Sequence, residues 1–494
     1  MGSDVRSAYR KEALDTPRAA SRTRLEVEMC ALKIPRSTRY RKRVGRFAGL
    51  DVKNDESVVD FSTAAVCYNF DFSSGALRGG YGIVSHAAVP TDAKRYWVYR
   101  CYSETLGKMV DKYMFHSPSG LIRFYEPETG RIRVLSGVSF SDVKMLNYKL
   151  NSKDVILISC NERPLMTWDG GTIVRHDSAP RISSMALHYE RLFVTNPDEP
   201  TKVFFSDDLD PTNWKVDSTA GGFIELLDER GDMTKVVSFG GYLYVFREHG
   251  ISRITAAGAQ SGFSAVNLFV SADRIYPESI VKCGSVIMFL ASDGLYAFDG
   301  YDCTKLLTRL GGLIDGAPKS SAYFDGKYYL SCRMNFDDGK KIGSEASADD
   351  GADESNALLV YDVTTGEYAV TRGLAIEYMN SCTVDGEDML VACERGGAGV
   401  IKRCGTRFDE PLPKLWRSPE TDFGKPDCTK MLREVYVDTS VPCSVTVRGK
   451  RVKTKAVKSG RHRVRVNTSA DAVALVLETA EADCVIRPPT VIYT

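Results

Sequence analysis

One theme recurs between residues 96 and about 408: an apolar strand, a Gly or Asp-Gly turn, a second apolar strand and an ending that pairs an aromatic residue with Asp. Clear copies lie at 155–171, 236–255, 280–300, 321–332 and 382–393. Strands this short, with almost no amphipathic helical pattern, exclude a parallel α/β architecture. A β-propeller fits, because each small antiparallel sheet buries its faces against its neighbours and leaves only short edges. The sequence contains six or seven such units and therefore predicts an all-β fold with a six- or seven-bladed β-propeller.

The most complete copy of the unit has apolar strands at 192–194 and 203–205, on either side of a polar run that contains two prolines. Proline has no N–H to donate and an Asn-Pro pair starts a turn, so this run is a loop between two strands. A second turn follows at Asp210 and Pro211. We predict that this turn directs Trp214 into the gap to the next unit.

The chain begins with a segment unlike the repeat. Residues 1–48 are strongly basic, and we predict that they form a separate N-terminal arm ahead of a propeller at 49–409. Cations alternate with aromatic residues in this arm, which suits an acidic partner or nucleic acid. The alternative is a solvated tail that orders only by lying across a neighbouring surface. The cations proposed for binding are Arg39, Arg41, Lys42, Arg43 and Arg46.

The chain ends with a second distinct segment. Two prolines after Glu410 mark a boundary, and the short strands of 410–494 predict a small β-sandwich. Residues 448–465 hold nine cations and no acid. Alternate residues of a strand share one face, so we predict a cationic stripe that meets DNA or an acidic neighbour, with a solvated face near a subunit contact as the alternative. Its members are Lys453, Lys455, Arg461, Arg463 and Arg465.

One predicted blade is interrupted by an acidic insertion at 336–356. The insertion lacks the Asp-x-Asp-x-Asp-Gly spacing and the closing Glu of a calcium-binding loop. Acidic runs rich in Gly, Ser and Ala are usually solvated extensions of hairpins. We therefore expect this loop to protrude and to bind no metal.

Composition and motifs argue against several classes of function. The chain has 65 Lys and Arg against 64 Asp and Glu, so its overall charge favours neither nucleic acid nor a membrane. No apolar run approaches the roughly 18 residues of a membrane span. The six His show no zinc-binding spacing, and no Walker loop, dinucleotide fingerprint or G-x-S-x-G elbow is present. We expect no enzyme activity, no cofactor and no membrane insertion.

Two ordered motifs about 120 residues apart carry a family resemblance. The first consists of Asn69, Asp71, Phe72, Gly75, Leu77, Arg78 and Gly82. The second consists of Arg191, Leu192, Phe193, Pro200, Val203, Phe205, Ser206, Asp210, Pro211 and Trp214. With these residues the chain resembles the β-propeller tail proteins of bacteriophages, which include the tail-hub or packaged-DNA stabilisation (nozzle) proteins of short-tailed phages.

The resemblance implies a structural protein of the virion tail, made in the cytoplasm of the bacterial host. Such a protein forms a homo-oligomeric ring, of which a hexamer is one candidate, as a tail hub, nozzle or head-to-tail connector. Its partners are other tail or connector proteins, and non-specific contact with genomic DNA helps to retain or conduct the genome.

Two alternatives remain open at the level of sequence. The first is a receptor- or carbohydrate-binding propeller at the tail tip, in which exposed aromatics such as Tyr99, Tyr125 or Trp168 stack on sugars. The second is a glycosidase-like propeller, suggested by a faint likeness of 206–214 to a sialidase hairpin. Asp210 and Pro211 replace the Gly of that hairpin, and no other unit repeats it.

Overall fold

A computed structural model of the chain describes residues 38–136, 138–217, 220–336, 338–346 and 354–494. These residues form β-strands joined by turns and by four short 3-10 turns, at Gln260–Gly262, Pro277–Ser279, Thr308–Leu310 and Gly343–Ala346. Seven short strands come first: β1 (Tyr40–Arg43), β2 (Ala48–Leu50), β3 (Thr63–Ala64), β4 (Val66–Tyr68), β5 (Phe70–Asp71), β6 (Leu77–Gly79) and β7 (Gly82–Val84).

Six four-stranded antiparallel sheets follow in chain order. Blade 1 consists of β8 (Arg95–Ser103), β9 (Lys108–His116), β10 (Ile122–Glu126) and β11 (Arg131–Val134), and blade 2 of β12 (Val143–Leu150), β13 (Lys153–Cys160), β14 (Arg163–Trp168) and β15 (Ile173–Arg175). Blade 3 consists of β16 (Ser184–His188), β17 (Arg191–Thr195), β18 (Lys202–Phe205) and β19 (Gly222–Glu225), and blade 4 of β20 (Met233–Phe239), β21 (Tyr242–Arg247), β22 (Gly250–Thr255) and β23 (Ser264–Val270). Blade 5 consists of β24 (Val281–Cys283), β25 (Val286–Ala291), β26 (Gly294–Phe298) and β27 (Cys303–Leu306), and blade 6 of β28 (Ile314–Phe324), β29 (Lys327–Met334), β30 (Ala357–Asp362) and β31 (Tyr368–Arg372).

The seventh blade combines the two ends of the propeller sequence. Its strands β32 (Ile376–Val384), β33 (Glu387–Glu394) and β34 (Gly397–Lys402) are completed by β7, which pairs antiparallel with β34. Strands β35 (Thr406–Arg407) and β36 (Glu410–Pro411) extend this sheet. Since β32 also packs against β8, blade 7 meets blade 1 and the ring is closed. The predicted β-propeller is confirmed, with seven blades.

Apolar residues fill the gaps between neighbouring blades. Trp214 is 7% exposed and lies in a cluster that joins Leu157 of blade 2 to Leu192 of blade 3. Its indole N–H donates to the carbonyl of Pro211 at 2.9 Å. Asp210 holds the turn, because one carboxylate oxygen accepts the amide and the hydroxyl of Thr212 at 2.9 and 2.6 Å. This turn therefore sets the Trp214 side chain between blades 2 and 3.

Two further sheets form a β-sandwich beside the propeller. The chain supplies β37 (Lys414–Arg417), β38 (Lys430–Thr439), β39 (Cys443–Arg448), β40 (Lys453–Val457), β41 (Gly460–Ala470), β42 (Ala474–Thr479) and β43 (Val485–Tyr493). Sheet A has the order β41-β38-β43-β6-β5, with β1 also paired to β43, and sheet B has the order β4-β37-β42-β39-β40. Residues of both sheets, such as Val435 and Leu477, share one core. Both ends of the described chain thus build the sandwich.

This pairing differs from the predicted division at residues 48 and 410. Strands β1, β4, β5 and β6 precede the propeller in sequence but belong to sheets of the sandwich. Val44 and Phe47, expected in a separate arm, are 1% and 0% exposed, and the Phe47 ring contacts Trp416 edge-on with centroids 4.9 Å apart. The basic composition of the segment concealed these two core positions.

The acidic insertion does not simply protrude. Its described part, Phe336 and residues 338–346, folds back onto the joint between blade 6 and the sandwich. There the buried Arg372 of β31 donates to Asp338 at 2.9 Å and to both oxygens of Glu345 at 3.0 and 3.1 Å. The Arg372 guanidinium also stacks on Phe336 and on Tyr68 of β4. Arg372 lies outside the insertion, 34 residues after Asp338 and 27 after Glu345, and its hydrogen bonds hold both acids of this loop against the fold.

Candidate interaction surface

The outer side of sheet A carries a concentration of arginines, which we call the arginine face. In antiparallel pairs, directly opposed residues point to the same side of the sheet. The pairing of β1, β43, β38 and β41 therefore defines three rows: Arg41, Ile492, Glu434 and Arg465; then Arg43, Thr490, Tyr436 and Arg463; then Arg487, Asp438 and Arg461, which lack a β1 partner. The arginine face comprises Arg41, Arg43, Arg461, Arg463, Arg465 and Arg487.

The register brings together two groups that lie far apart in sequence. Arg41 and Arg43 come from the predicted arm, whereas Arg463 and Arg465 come from the predicted stripe. The two edge strands are three strand spacings apart, or roughly 14 Å. The inward neighbours Val464 and Val466 are buried in the sandwich core, which fixes the opposite orientation of the arginines. One rigid sheet thus presents cations along both of its edges.

Two carboxylates lie between these edges and neutralise part of the charge. Arg463 donates through Nε to Glu434 at 2.7 Å, and the hydrogen bonds of this pair lower the pKa of Glu434. Asp438 accepts from Arg461 at 3.0 Å and from Arg487 at 2.9 Å. Burial alone would raise the pKa of Asp438, but these two guanidinium groups lower it overall. Both acids therefore stay ionised at neutral pH.

Three arginines of the face keep their charge available. All the members are exposed, and the Arg461 side chain reaches 87%. Arg41, Arg43 and Arg465 contact no carboxylate within the described residues. Six arginines against two carboxylates leave the face positive, so it suits a polyanionic surface.

Arg487 was not among the residues predicted from the sequence, because its strand contains two prolines and no run of cations. The position of Arg487 directly after the buried Ile486 was the one local sign that its side chain points outward.

The other basic residues of the predicted arm take different positions. Arg39 is exposed just before β1, and its charge acts on the pKa of Glu434, so it borders the arginine face. Lys42 alternates with Arg41 and Arg43 and lies opposite the buried Val491, on the other side of the sheet. Arg46 pairs with Glu367 in a turn of blade 6, with 3.4 Å between Nη2 of the arginine and Oε1 of the glutamate. Only part of the predicted basic cluster therefore shares one surface.

The two lysines of the predicted stripe are separated from its arginines. Lys453 and Lys455 lie on β40, at the edge of sheet B, opposite Val447 and Val445. Those valines are buried, so the lysines point toward the inner side of the sandwich at its open edge. Inward-pointing lysines on edge strands discourage pairing with other chains. Their position assigns them to edge protection rather than to the arginine face.

Two of the three aromatic residues proposed for sugar stacking are buried, and the third is partly exposed. Tyr99 and Trp168 are 0% and 2% exposed, and their rings pack together with centroids 5.1 Å apart. Tyr125 stacks on Tyr113 with a centroid distance of 4.6 Å. The expectation that Tyr99 and Trp168 are exposed is wrong, because their apolar rings fill the core of blades 1 and 2.

The buried charge of Arg247 in blade 4 is paired in a way that stabilises the fold. Arg247, 1% exposed, donates to Asp228 at 2.8 Å and to the carbonyl of Gly231 at 2.9 Å. Burial raises the pKa of Asp228, but hydrogen bonds from the Arg230 amide, Arg247 and Asn267 bring it to about 2. Among the described residues, no group of His, Cys, Asp and Glu is placed to hold a metal ion. In the same part of the chain, no helix is long and apolar enough to cross a membrane.

Comparisons with known proteins found similar structures but no related sequence. No protein-family model matches the sequence, and no curated protein matches it. Two crystal structures of BBS1N in complex with ARL6DN, one soaked with mercury and one with lead, match with a TM-score of 0.40 and 10% identity. Each alignment covers 66% of this chain and 95% of the matched chain. The chain is thus similar to these structures only at the level of a distant structural likeness.

Proposed function

We propose that this chain is a structural component of a phage virion, a ring-forming tail hub, nozzle or head-to-tail connector that docks on neighbouring tail proteins. The observation that carries the proposal is the arginine face, an exposed and positively charged surface of the β-sandwich beside the blades. A seven-bladed ring is a stiff support, and a rigid sheet binds a partner with little loss of backbone conformational entropy. The resemblance of the two sequence motifs to those of phage tail propellers supports the choice of a virion.

A structural role also fits the way in which the two motifs are used. Asn69 of the first motif donates to the carbonyl of Pro413 and accepts the amide of Arg372, both at 2.7 Å. Arg191 of the second motif is buried and donates to the carbonyls of Ser206 and Ala220 at 3.0 and 2.9 Å. Each motif therefore holds the framework, which favours a scaffold over a catalyst. Two of the three residues proposed to stack on sugars, Tyr99 and Trp168, are buried in the core, which argues against the carbohydrate-binding alternative.

The test is complementation of a phage that lacks the gene. Wild-type chain supplied in trans restores infectious particles, and electron microscopy of labelled particles finds the chain in the tail. The variant Arg41→Ser, Arg43→Ser, Arg463→Ser, Arg465→Ser folds but fails to enter particles, because a docking surface of like charge is lost. A control with Lys453→Ser and Lys455→Ser is incorporated normally.

The outcomes separate the alternatives. Particles that assemble, exclude the chain and remain infectious contradict a virion role. Particles that contain the fourfold variant but lose their DNA indicate that the face contacts the genome rather than a protein. In that case binding of the purified wild-type chain to any duplex falls steeply with salt, as expected for phosphate contacts.

A further inference from the structure

We infer that the propeller binds a small oxyanion, a phosphate or a carboxylate, on its axis between Lys144 and Lys235. The inference goes beyond the proposed function, because neither docking in a tail nor the arginine face requires an axial ligand. The binding groups come from five of the seven blades. We call this cluster the axial site, and its members are Arg95, Asp142, Lys144, Lys235, Glu278 and Tyr378.

The location of the axial site follows from the strand order of the blades. The first strands of neighbouring blades pack against each other, as β16 does on β20 and β28 does on β32. First strands therefore surround the axis of the ring. Every member of the site lies within the first three residues of such a strand or in the turn just before it. The six side chains are thus gathered at one end of the axial channel.

One set of contacts joins the starts of blades 7, 1 and 2. Arg95 of blade 1 donates to the carbonyl of Val143 at 2.9 Å, and its guanidinium lies 2.8 Å from a carboxylate oxygen of Asp142. The guanidinium also lies over the Tyr378 ring of blade 7, at 5.4 Å from the ring centroid. Asp142 accepts a further hydrogen bond from Lys144 at 2.5 Å. The Lys144 ammonium therefore keeps two of its three N–H groups for another acceptor.

A second set of hydrogen bonds joins the starts of blades 4, 5 and 6. Lys235 of blade 4 donates to the carbonyls of Pro277 and Ile280 at 3.0 and 2.8 Å, in the turn before β24. Ser321 of blade 6 donates to the carbonyl of Glu278 in the same turn at 2.6 Å. The Lys235 ammonium is thus fixed in direction and keeps one N–H group.

The two sets of residues face each other across the axis. Burial lowers the pKa of Lys235; the carboxylate of Glu278 opposes this effect, and the ammonium of Lys144 adds to it. Burial raises the pKa of Tyr378, and the carboxylate of Glu278 raises it further. Blade 3 stands between Lys144 and Lys235, and blade 6 stands between Glu278 and Tyr378. Side chains of blades that are not neighbours come this close only at the axis of the ring.

The axial site is positive and has donors to spare. Its three cations exceed its two carboxylates. The ammonium groups of Lys144 and Lys235 repel each other where they are partly removed from water, and an anion between them relieves this repulsion. Within the described residues, the Tyr378 hydroxyl has no hydrogen-bond partner. Its raised pKa keeps the hydroxyl protonated at neutral pH, so it can donate as well.

A small oxyanion suits these groups. Lys144, Lys235 and Tyr378 supply donors from three blades, and charge-assisted hydrogen bonds are about twice as strong as neutral ones. Phosphate and carboxylate groups both accept several such bonds. Glu278 opposes an anion, so its carboxylate limits the affinity. Removal of that charge should therefore tighten the binding, which gives the inference a test in the opposite direction.

The experiment titrates the full-length chain with phosphate and, separately, with acetate by isothermal titration calorimetry at constant ionic strength. Tyr378→Phe removes the unpaired hydroxyl, Lys235→Met removes a cation, and Glu278→Gln removes the opposing charge. Thermal unfolding checks the fold of each variant. We expect one saturable site in the wild type. Phosphate binding without acetate binding assigns the site to phosphate, and binding of both admits carboxylates.

Two control variants locate the binding. Lys108→Met removes an exposed lysine at the far end of β8 from Arg95. The variant Arg41→Ser, Arg43→Ser, Arg465→Ser removes three charges of the arginine face. Both controls should bind the anion as the wild type does.

The site variants should change the affinity in opposite directions. Tyr378→Phe should weaken binding about tenfold, as expected for one hydrogen bond to a charged group. Lys235→Met should weaken binding further, because a charge is lost as well. Glu278→Gln should tighten it.

Four results overturn the inference. The first is the absence of saturable binding of either anion at millimolar concentrations. The second is unchanged affinity in a folded Tyr378→Phe variant, which also decides the test if Lys235→Met does not fold. The third is weaker binding by Glu278→Gln, which would mean that this carboxylate holds a cationic ligand. The fourth is loss of binding in the arginine-face control, which would place the anion on the sandwich.

Discussion

Arginine has different roles at the joint around Arg372 and on the arginine face. At the joint it stabilises the fold, and on the face it is exposed to solvent. Arg372 is 4% exposed, is held by two carboxylates and stacks on two aromatic rings. Arg41, Arg43 and Arg465 are exposed and contact no carboxylate in the described part of the chain. A charge removed from water must be neutralised and hydrogen-bonded, whereas an exposed charge is retained at little cost. Acid partners and burial, rather than residue type, separate an arginine that holds the fold from one free to bind a partner.

Strand β1 offers the strongest test of this contrast, because it belongs to the arginine face while the residues that follow it belong to the core. Deleting residues 1–48 removes β1 together with Val44 and Phe47, and loss of a buried Phe side chain alone costs about 3 to 5 kcal/mol. We expect the sandwich to unfold, measured by urea denaturation and by limited trypsin digestion. Deleting residues 1–37 leaves β1 in place and should preserve the fold. Equal stability of both deletions would contradict the core role of this segment.

The next largest effect is expected at the joint. Arg372→Met leaves Asp338 and Glu345 as largely buried carboxylates without their arginine partner, which should lower the free energy of unfolding by roughly 3 to 5 kcal/mol. The matched control is Arg465→Met on the arginine face, which should change it by no more than about 0.5 kcal/mol. Urea denaturation of both variants measures the difference. A small effect at Arg372, or a large one at Arg465, would reverse the assignment of the two regions.

Sequence reasoning succeeded where periodicity carries the information. Alternating strands and regular turns predict the blades, because a period of two residues is a local property of the chain. The site was harder to predict. That Arg41 and Arg465 share a face depends on the pairing of β1 with β43, of β43 with β38 and of β38 with β41. The first of these is a contact between the two ends of the described chain. No local pattern encodes such a register.

The same limitation explains what was misassigned. Lys453 and Arg461 lie in one run of cations, but the turn between β40 and β41 transfers the chain from one sheet to the other. The predicted stripe was therefore divided. The insertion was expected to protrude because acids are usually solvated, but Arg372, which follows it in sequence, draws Asp338 and Glu345 inward. Composition describes solubility, and only tertiary contacts determine where each charge is placed.

Acid titration should distinguish the two regions by a smaller effect. Burial raises the pKa of Asp338, but hydrogen bonds from Arg372, the Lys340 amide and Tyr68 lower it overall from 3.8. Its folded pKa is below the unfolded one, so its contribution to stability is present above pH 3.8 and is lost as the pH falls through the folded pKa. Asp338→Asn should therefore flatten the decline of the free energy of unfolding below about pH 4.

The pKa of Glu434 is lowered too, so Glu434→Gln should act in the same direction. Its partner Arg463 is 47% exposed, whereas Arg372 is 4% exposed. Salt screens exposed pairs more effectively than buried ones. Repeating the titration in about 1 M salt, where the Debye length is near 3 Å, should abolish the effect of Glu434→Gln and retain that of Asp338→Asn. Loss of both effects together would mean that the joint is as open to water as the face.

The smallest expected effect concerns the lysines that the predicted stripe had grouped with the arginines. Strand β40 ends sheet B, so one of its sides has no strand partner among the described residues. Lys453→Thr and Lys455→Thr remove the inward charges and add residues that favour strands. We expect unchanged folding and particle incorporation, with faster aggregation on warming, measured by light scattering. Arg41→Thr with Arg465→Thr should do the opposite, weakening assembly without promoting aggregation. If the lysine variant instead failed to enter particles, β40 would belong to the docking surface. The distinction between the edge lysines and the exposed arginines of the face would then be wrong.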